Sequence, residues 1–153
     1  MIFLESAIYD FLTADPELVA LVSHTTLAPK IYAAFPDKSA SYPCIGFWNE
    51  SSINQASNID EIESSVFNFG IFVGADDSVT YNGWTSRGEI LNKRISRRLR
   101  KLLSPGNMQD ANLSSSQVQV DAVLYVNRLP IRYEYEVNVY RSDMSFQINW
   151  YEK

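Results

Sequence analysis

Residues 63–103 run ESSVFNFGIFVGADDSVTYNGWTSRGEILNKRISRRLRKLL, and within them the side-chain period changes from two to 3.6. Phe67, Phe69, Ile71 and Val73 alternate, which predicts a strand with one buried face. After a polar turn, Trp84, Leu91, Ile95, Leu99 and Leu102 recur at helical spacing and predict one apolar stripe on a long helix. The two halves are complementary: the strand's apolar face is expected to pack on the stripe. A strand followed directly by a helix, in a chain with other strands, reads as α+β.

The charge on this helix is unusual. Arg87, Lys93, Arg94, Arg97, Arg98, Arg100 and Lys101 stand against the one acid Glu89, so residues 87–101 carry +6. The whole chain carries −5, which leaves −11 on the remainder. At about 100° per residue the basic side chains spread over the side opposite the stripe. Lys93/Arg97, Arg94/Arg98 and Arg97/Lys101 are like-charge pairs four residues apart, each unfavourable by about 0.2–0.5 kcal/mol. One reading is a solvated face. The other is a face that meets carboxylates, from the chain's own acidic remainder or from a neighbouring subunit. Ile90 points into the middle of it.

Working outward, 153 residues suit one domain, 1–153, able to bury about 68–70% of its unfolded surface. Nine Tyr and eight Phe favour strands. The acidic balance argues against a general nucleic-acid binder, and only the helix keeps that option open. No apolar run approaches the roughly eighteen residues of a membrane span. Met1 to Phe11 carries Glu5 and Asp10 and no basic start, so no signal peptide is expected. The single Cys44 excludes an internal disulfide and a cysteine metal site. These features suit a reducing cytoplasm.

Residues 2–14 predict a helix with Leu4, Ile8, Phe11 and Leu12 on one face. Asp15-Pro16 ends it and starts a second, Asp as N-cap and Pro as the first helical residue. Short strands are expected at Lys30–Phe35 and Cys44–Trp48. The polar run Ser51–Ser57 reads as a loop or hairpin tip. Asp76-Asp77 reads as a turn, since the acid spacing of a calcium loop is absent. Ser104-Pro105-Gly106 stops the long helix, and a loop holding Met108 and Leu113 runs to Ser116. Alternation then predicts strands over Val118–Val126, Tyr133–Val139 and Met144–Tyr151. A break or bulge is expected at Arg128–Pro130 and a bend at Arg141–Asp143.

Catalysis needs convergent groups. His24 is the only histidine and Cys44 the only cysteine, so a thiol nucleophile lacks an evident base. Both read as structural. No GxSxG, HExxH, GxxxxGK[ST] or GxGxxG occurs. Glu134/Glu136 read as a solvated strand face rather than an acid/base pair. Aromatic strands can stack bases, but here they also carry Asp and Glu, which repel phosphate. No enzyme, no cofactor and no metal is expected.

The order of segments resembles the tail-completion and tail-terminator proteins of tailed bacteriophages, which join head to tail. The residues that carry it are DPELVALV (15–22), KIYAAFP (30–36), YPCIGFW (42–48), SVFNFGIFVGA (65–75), LNKRISRRLRKLL (91–103) and YRSDMSFQINWYE (140–152). The resemblance implies an antiparallel β-sheet with helices packed on one face. It implies a hexameric homo-oligomeric ring at the end of the tail tube or between tube and head connector, with tail-tube or connector proteins as partners. DNA would pass through without specific binding, and no membrane would be involved. The place would be the virion tail or neck, assembled in the host bacterial cytoplasm. A ring uses two different surfaces of each subunit. The expected subunit or partner contact is therefore Ile90, Arg94, Arg97, Arg98 and Lys101, with the loops Ser51–Ser57 and Met108–Ser116 as second candidates. A basic face lining the DNA channel is the competing placement. A nucleic-acid-binding module using helix 87–101 is the alternative function.

Overall fold

The strand holding Phe67, Phe69, Ile71 and Val73 lies at the centre of the main sheet. A computed structural model describes the chain except residues 1, 38, 57–60, 105–114 and 116. Its elements are α1 (Ile2–Thr13), α2 (Pro16–Val22), β1 (Ile31–Tyr32), β2 (Cys44–Ala56), β3 (Glu61–Gly74), β4 (Ser78–Tyr81), β5 (Trp84–Arg87), α3 (Gly88–Leu102), β6 (Val118–Glu134) and β7 (Val139–Glu152). Five strands form one sheet in the order β1-β2-β3-β7-β6; β4 and β5 form a separate hairpin. The short β1 runs parallel to β2, and every other pairing in the main sheet is antiparallel. The fold is α+β.

The helices cover one face of this sheet. Leu4, Ile8 and Leu12 of α1, Leu18, Leu21 and Val22 of α2, and Leu91, Ile95 and Leu99 of α3 are fully buried in one cluster. Phe67, Phe69, Ile71 and Val73 meet them from β3, and Phe146, Ile148 and Trp150 from β7. Leu102 packs at the edge, as Phe11 does on α1. Each such side chain contributes about 1.5–3 kcal/mol of transfer free energy on burial. The expected strand-on-stripe packing is present.

The start of α2 follows the sequence reading. Asp15 is extended at the N-cap and accepts the Leu18 amide at 2.9 Å, and Pro16 opens the helix.

Four local expectations are corrected. The polar run after Trp48 is not a hairpin tip: β2 continues to Ala56, paired with β3 as far as Glu61, after a bulge at Asn49/Ser51. A mostly polar run has no hydrophobic period to betray it; cross-strand pairing holds it, as between the Ser52 and Ser65 hydroxyls at 3.1 Å. Ser57 lies outside the described residues, as do Met108, Leu113 and most of the second candidate loop.

The second correction concerns Trp84. It belongs to β5, not to the helical stripe, and is 62% exposed. Asn82 and Gly83, at φ 53° and 74°, turn the chain between β4 and β5, which is the Asn-Gly hairpin signal. The helix starts only at Gly88. There φ is +54°, which favours glycine, and a Cβ would make a tight contact of 3.1 Å with the Ala75 carbonyl oxygen.

The third and fourth corrections lie in the last hairpin. The bulge expected at Arg128–Pro130 is present, since the ladder shifts register between Leu129 and Arg132 and resumes, as a bulge that admits proline at an edge does; what is corrected is the strand expected over Tyr133–Val139. The reversal falls at residues 135–138, so Tyr135 and Val137 do not face the core. Arg141–Asp143 does not bend: β7 passes straight through it. Asp143 there is buried on the helix-free face, bonded by Asn68 Nδ2 at 2.9 Å, Arg132 Nη2 at 2.9 Å and Arg141 Nε at 3.1 Å. Burial pushes its carboxyl up, and the bonds from Asn68, Arg141 and Arg132 outweigh that and leave it below its ordinary value.

Candidate interaction surface

Helix α3 divides its side chains by what they touch. Leu91, Ile95 and Leu99 point into the core. Asn92, also buried, donates to the Ile71 and Tyr140 carbonyls at 3.3 and 3.0 Å and accepts the Ser142 hydroxyl at 2.7 Å. A buried amide satisfied by two strands fixes the helix's position along the sheet.

The basic residues are not one uniform face. Arg87 pairs with Asp76 at 2.8 Å and Lys93 with Glu89 at 3.3 Å, both in solvent. Arg94 turns back onto the β4–β5 hairpin. Its Nη1 donates to the Trp84 carbonyl at 2.9 Å and the Ser86 hydroxyl at 3.1 Å, and its Nη2 to the Tyr81 carbonyl at 3.0 Å. The guanidinium lies 4.8 Å from the Trp84 ring centre. A planar five-donor group suits a site that needs stacking and several bonds together.

Arg98 reaches α2. Its Nε and Nη2 donate to the two carboxylate oxygens of Asp15, and Glu17 lies 3.4 Å away. Burial pushes Asp15 up, while the Arg98 and Leu18 bonds outweigh it and hold the carboxyl below its ordinary value. Arg100 stacks over Tyr125 at 4.7 Å. Arg97 and Lys101 stay exposed.

Ile90, Arg94, Arg97, Arg98 and Lys101 all line one groove of about 500 Å³, between α3 and the β4–β5 hairpin. Trp84, Tyr81 and Glu17 complete its walls. Ile90 is 59% exposed. Two of the five, Arg94 and Arg98, therefore build the groove from inside the chain, and the carboxylates Arg98 meets are this chain's own. Arg97, Lys101 and Ile90 are exposed. Trp84 was not among the expected surface residues, and the Asn82-Gly83 turn was the signal that would have found it. A second basic hollow of about 510 Å³ lies between α3 and the bulged part of β6, lined by Arg97, Arg100, Arg128 and Leu129 among others.

Neither His24 nor Cys44 joins these surfaces. The His24 Nδ1 accepts the Lys30 and Ile31 amides at 3.0 and 3.3 Å, which ties α2 to β1. Burial lowers its pKa. The Cys44 thiol is fully buried, and burial pushes it up to about 12, so it is protonated at neutral pH. Among the described residues no three His, Cys, Asp or Glu gather closely enough to hold a metal ion. No helix among them is long and apolar enough to cross a membrane.

No family model and no curated protein sequence matches this chain. Among solved structures, a chain from the virion of a native gene transfer agent particle is similar, with a TM-score of 0.68 at 17% identity, over 97% of this chain and 94% of that one. At that identity the likeness establishes a shared fold.

Proposed function

We propose that this chain is a structural protein of a tailed-phage or phage-like virion, a subunit of a hexameric ring that closes the tail tube or joins it to the head connector. The observation that carries the proposal is the end-to-end likeness to a virion chain, which spans 97% of this chain and 94% of that one and so leaves little over on either side. The segment order points the same way. A ring needs two dissimilar surfaces per subunit, and this chain has a basic, partly apolar groove on an otherwise acidic body. The ring would let DNA pass without gripping it. The role is one of assembly, and no reaction is assigned.

Binding nucleic acid through helix 87–101 has less support. Arg87, Lys93, Arg94 and Arg98 already have partners in their own chain, which reduces the cations available for phosphate and the counterions a duplex would release.

The test is deletion of the gene in the particle-forming strain, followed by electron microscopy of the products and complementation in trans. Filled heads and tails that accumulate unjoined, or tails of uncontrolled length, would support the proposal. Particles of normal form and yield without the protein would overturn it.

A further inference from the structure

The turn that joins β6 to β7 carries two large apolar side chains into solvent. Tyr135 is 86% exposed and Val137 53% exposed. Asn138, at φ 55°, supplies the left-handed turn residue that such a reversal favours, and among the described residues nothing covers Tyr135 or Val137. The tip is also braced. The Tyr133 ring stands 4.8 Å from that of Tyr135, edge to face, and 5.0 Å from that of Tyr140, and its hydroxyl donates to Asn138 Oδ1. A side chain held in place loses less entropy when it docks. Glu134 and Glu136 flank it. Glu134 lies 3.8 and 3.7 Å from Arg132 and Arg141, so Glu136 is the acid that faces outward.

The α3 groove is the opposite in sign and alike in character. Trp84 and Ile90 offer exposed apolar surface beside the cations Arg97 and Lys101, and about 500 Å³ of space accepts a tyrosine side chain. No tip residue lines the groove of its own chain. We propose that the β6–β7 tip of one copy seats in the α3 groove of a second copy, Tyr135 and Val137 against Trp84 and Ile90, Glu136 towards Arg97. This rests on the ring reading above and names its contact. Tip and groove are different surfaces, so every copy uses both, head to tail, and the assembly closes or propagates. Opposite charge fixes the register and rejects tip-to-tip or groove-to-groove pairing.

Disulfide trapping tests this on the purified full chain at high concentration, because the native Cys44 is buried and does not compete. Ile90→Cys and Val137→Cys are placed in one chain and oxidised. The expected result is a ladder of covalent multimers rising by one chain mass per step, while the two single variants mixed together stop at a dimer. Arg97→Glu should suppress the ladder, and Glu136→Lys added to it should bring the ladder back. A control pairs Ile90→Cys with Leu27→Cys, a 99% exposed position elsewhere. A ladder no stronger than that control, whether because the groove stays empty or because it takes DNA or another virion protein, would overturn the contact. The gene deletion separates the two claims. Absent cross-links with unjoined heads and tails sink this contact alone; a ladder with normal particles sinks the virion reading.

Discussion

Arg98 on α3 forks onto both carboxylate oxygens of Asp15, 83 residues earlier in the chain, and that same carboxylate caps the first turn of α2. One acid thus holds two helices at a fixed angle. Arg98→Ala should cost about 1.5–3 kcal/mol, the range for hydrogen bonds to charged groups, towards the lower end because the pair keeps some solvent contact. Asp15→Asn should cost less than Asp15→Ala, since Asn still caps. Urea midpoints at pH 7 measure all three; equal losses for Asn and Ala would contradict the capping role.

The same carboxylate gives an acid limb to stability. The folded pKa values of Asp15 and Asp143 are both depressed below the ordinary 3.8. Their contribution is therefore complete above that value and is lost as pH falls through the lower, folded ones. Denaturant midpoints should be flat from neutral pH down to about pH 5 as far as these two groups decide, then drop. Asp143→Asn should flatten the drop.

His24 titrates with the opposite group type but the same sign. Its neutral ring accepts two amides, and burial lowers its pKa below the ordinary 6.5. The stability it lends is complete above 6.5 and falls as pH descends towards the folded value. An NMR titration of the His24 ring should give a midpoint below 6.5. A midpoint at or above it would mean that the ring does not accept those amides.

Arg94→Ala should release the β4–β5 hairpin more than it destabilises the fold. Amide exchange over residues 78–87 should accelerate while the core strands stay protected. Arg94→Lys should fail to restore protection, because one ammonium cannot stack on Trp84 and bond three oxygens together. For the same reason charge reversal at Arg94 confounds folding with assembly, and Arg97 is the clean position for interface tests.

Ile95→Ala and Leu99→Ala should each cost about 2–5 kcal/mol. A loss below about 0.5 kcal/mol, the level of a surface change, would deny that the α3 stripe is core.

What the sequence made legible was whatever repeats with a clear period. Phe67 to Val73 and Leu91 to Leu99 announced the central strand and its helix, and Asp15-Pro16 the start of α2. What it hid had no period or a misleading one. The outer part of β2 is a mostly polar run in the sequence, so only its pairing with β3 makes it a strand. Trp84 falls by chance on the helical spacing, though Asn82-Gly83 had already turned the chain. Tyr135 and Val137 continue the alternation of β6 past the point where the chain reverses. The basic helix was visible as charge, but which arginines face inward depends on Asp15 and Trp84, and those contacts exist only after folding.

The most direct measurement is a cryo-electron microscopy reconstruction of the head–tail junction of particles that carry a tagged copy of this chain. The expected result is six copies of this fold in a ring at the tail end of the neck, each with the α3 groove against its neighbour. A junction complete in density with no copy of the fold would contradict it.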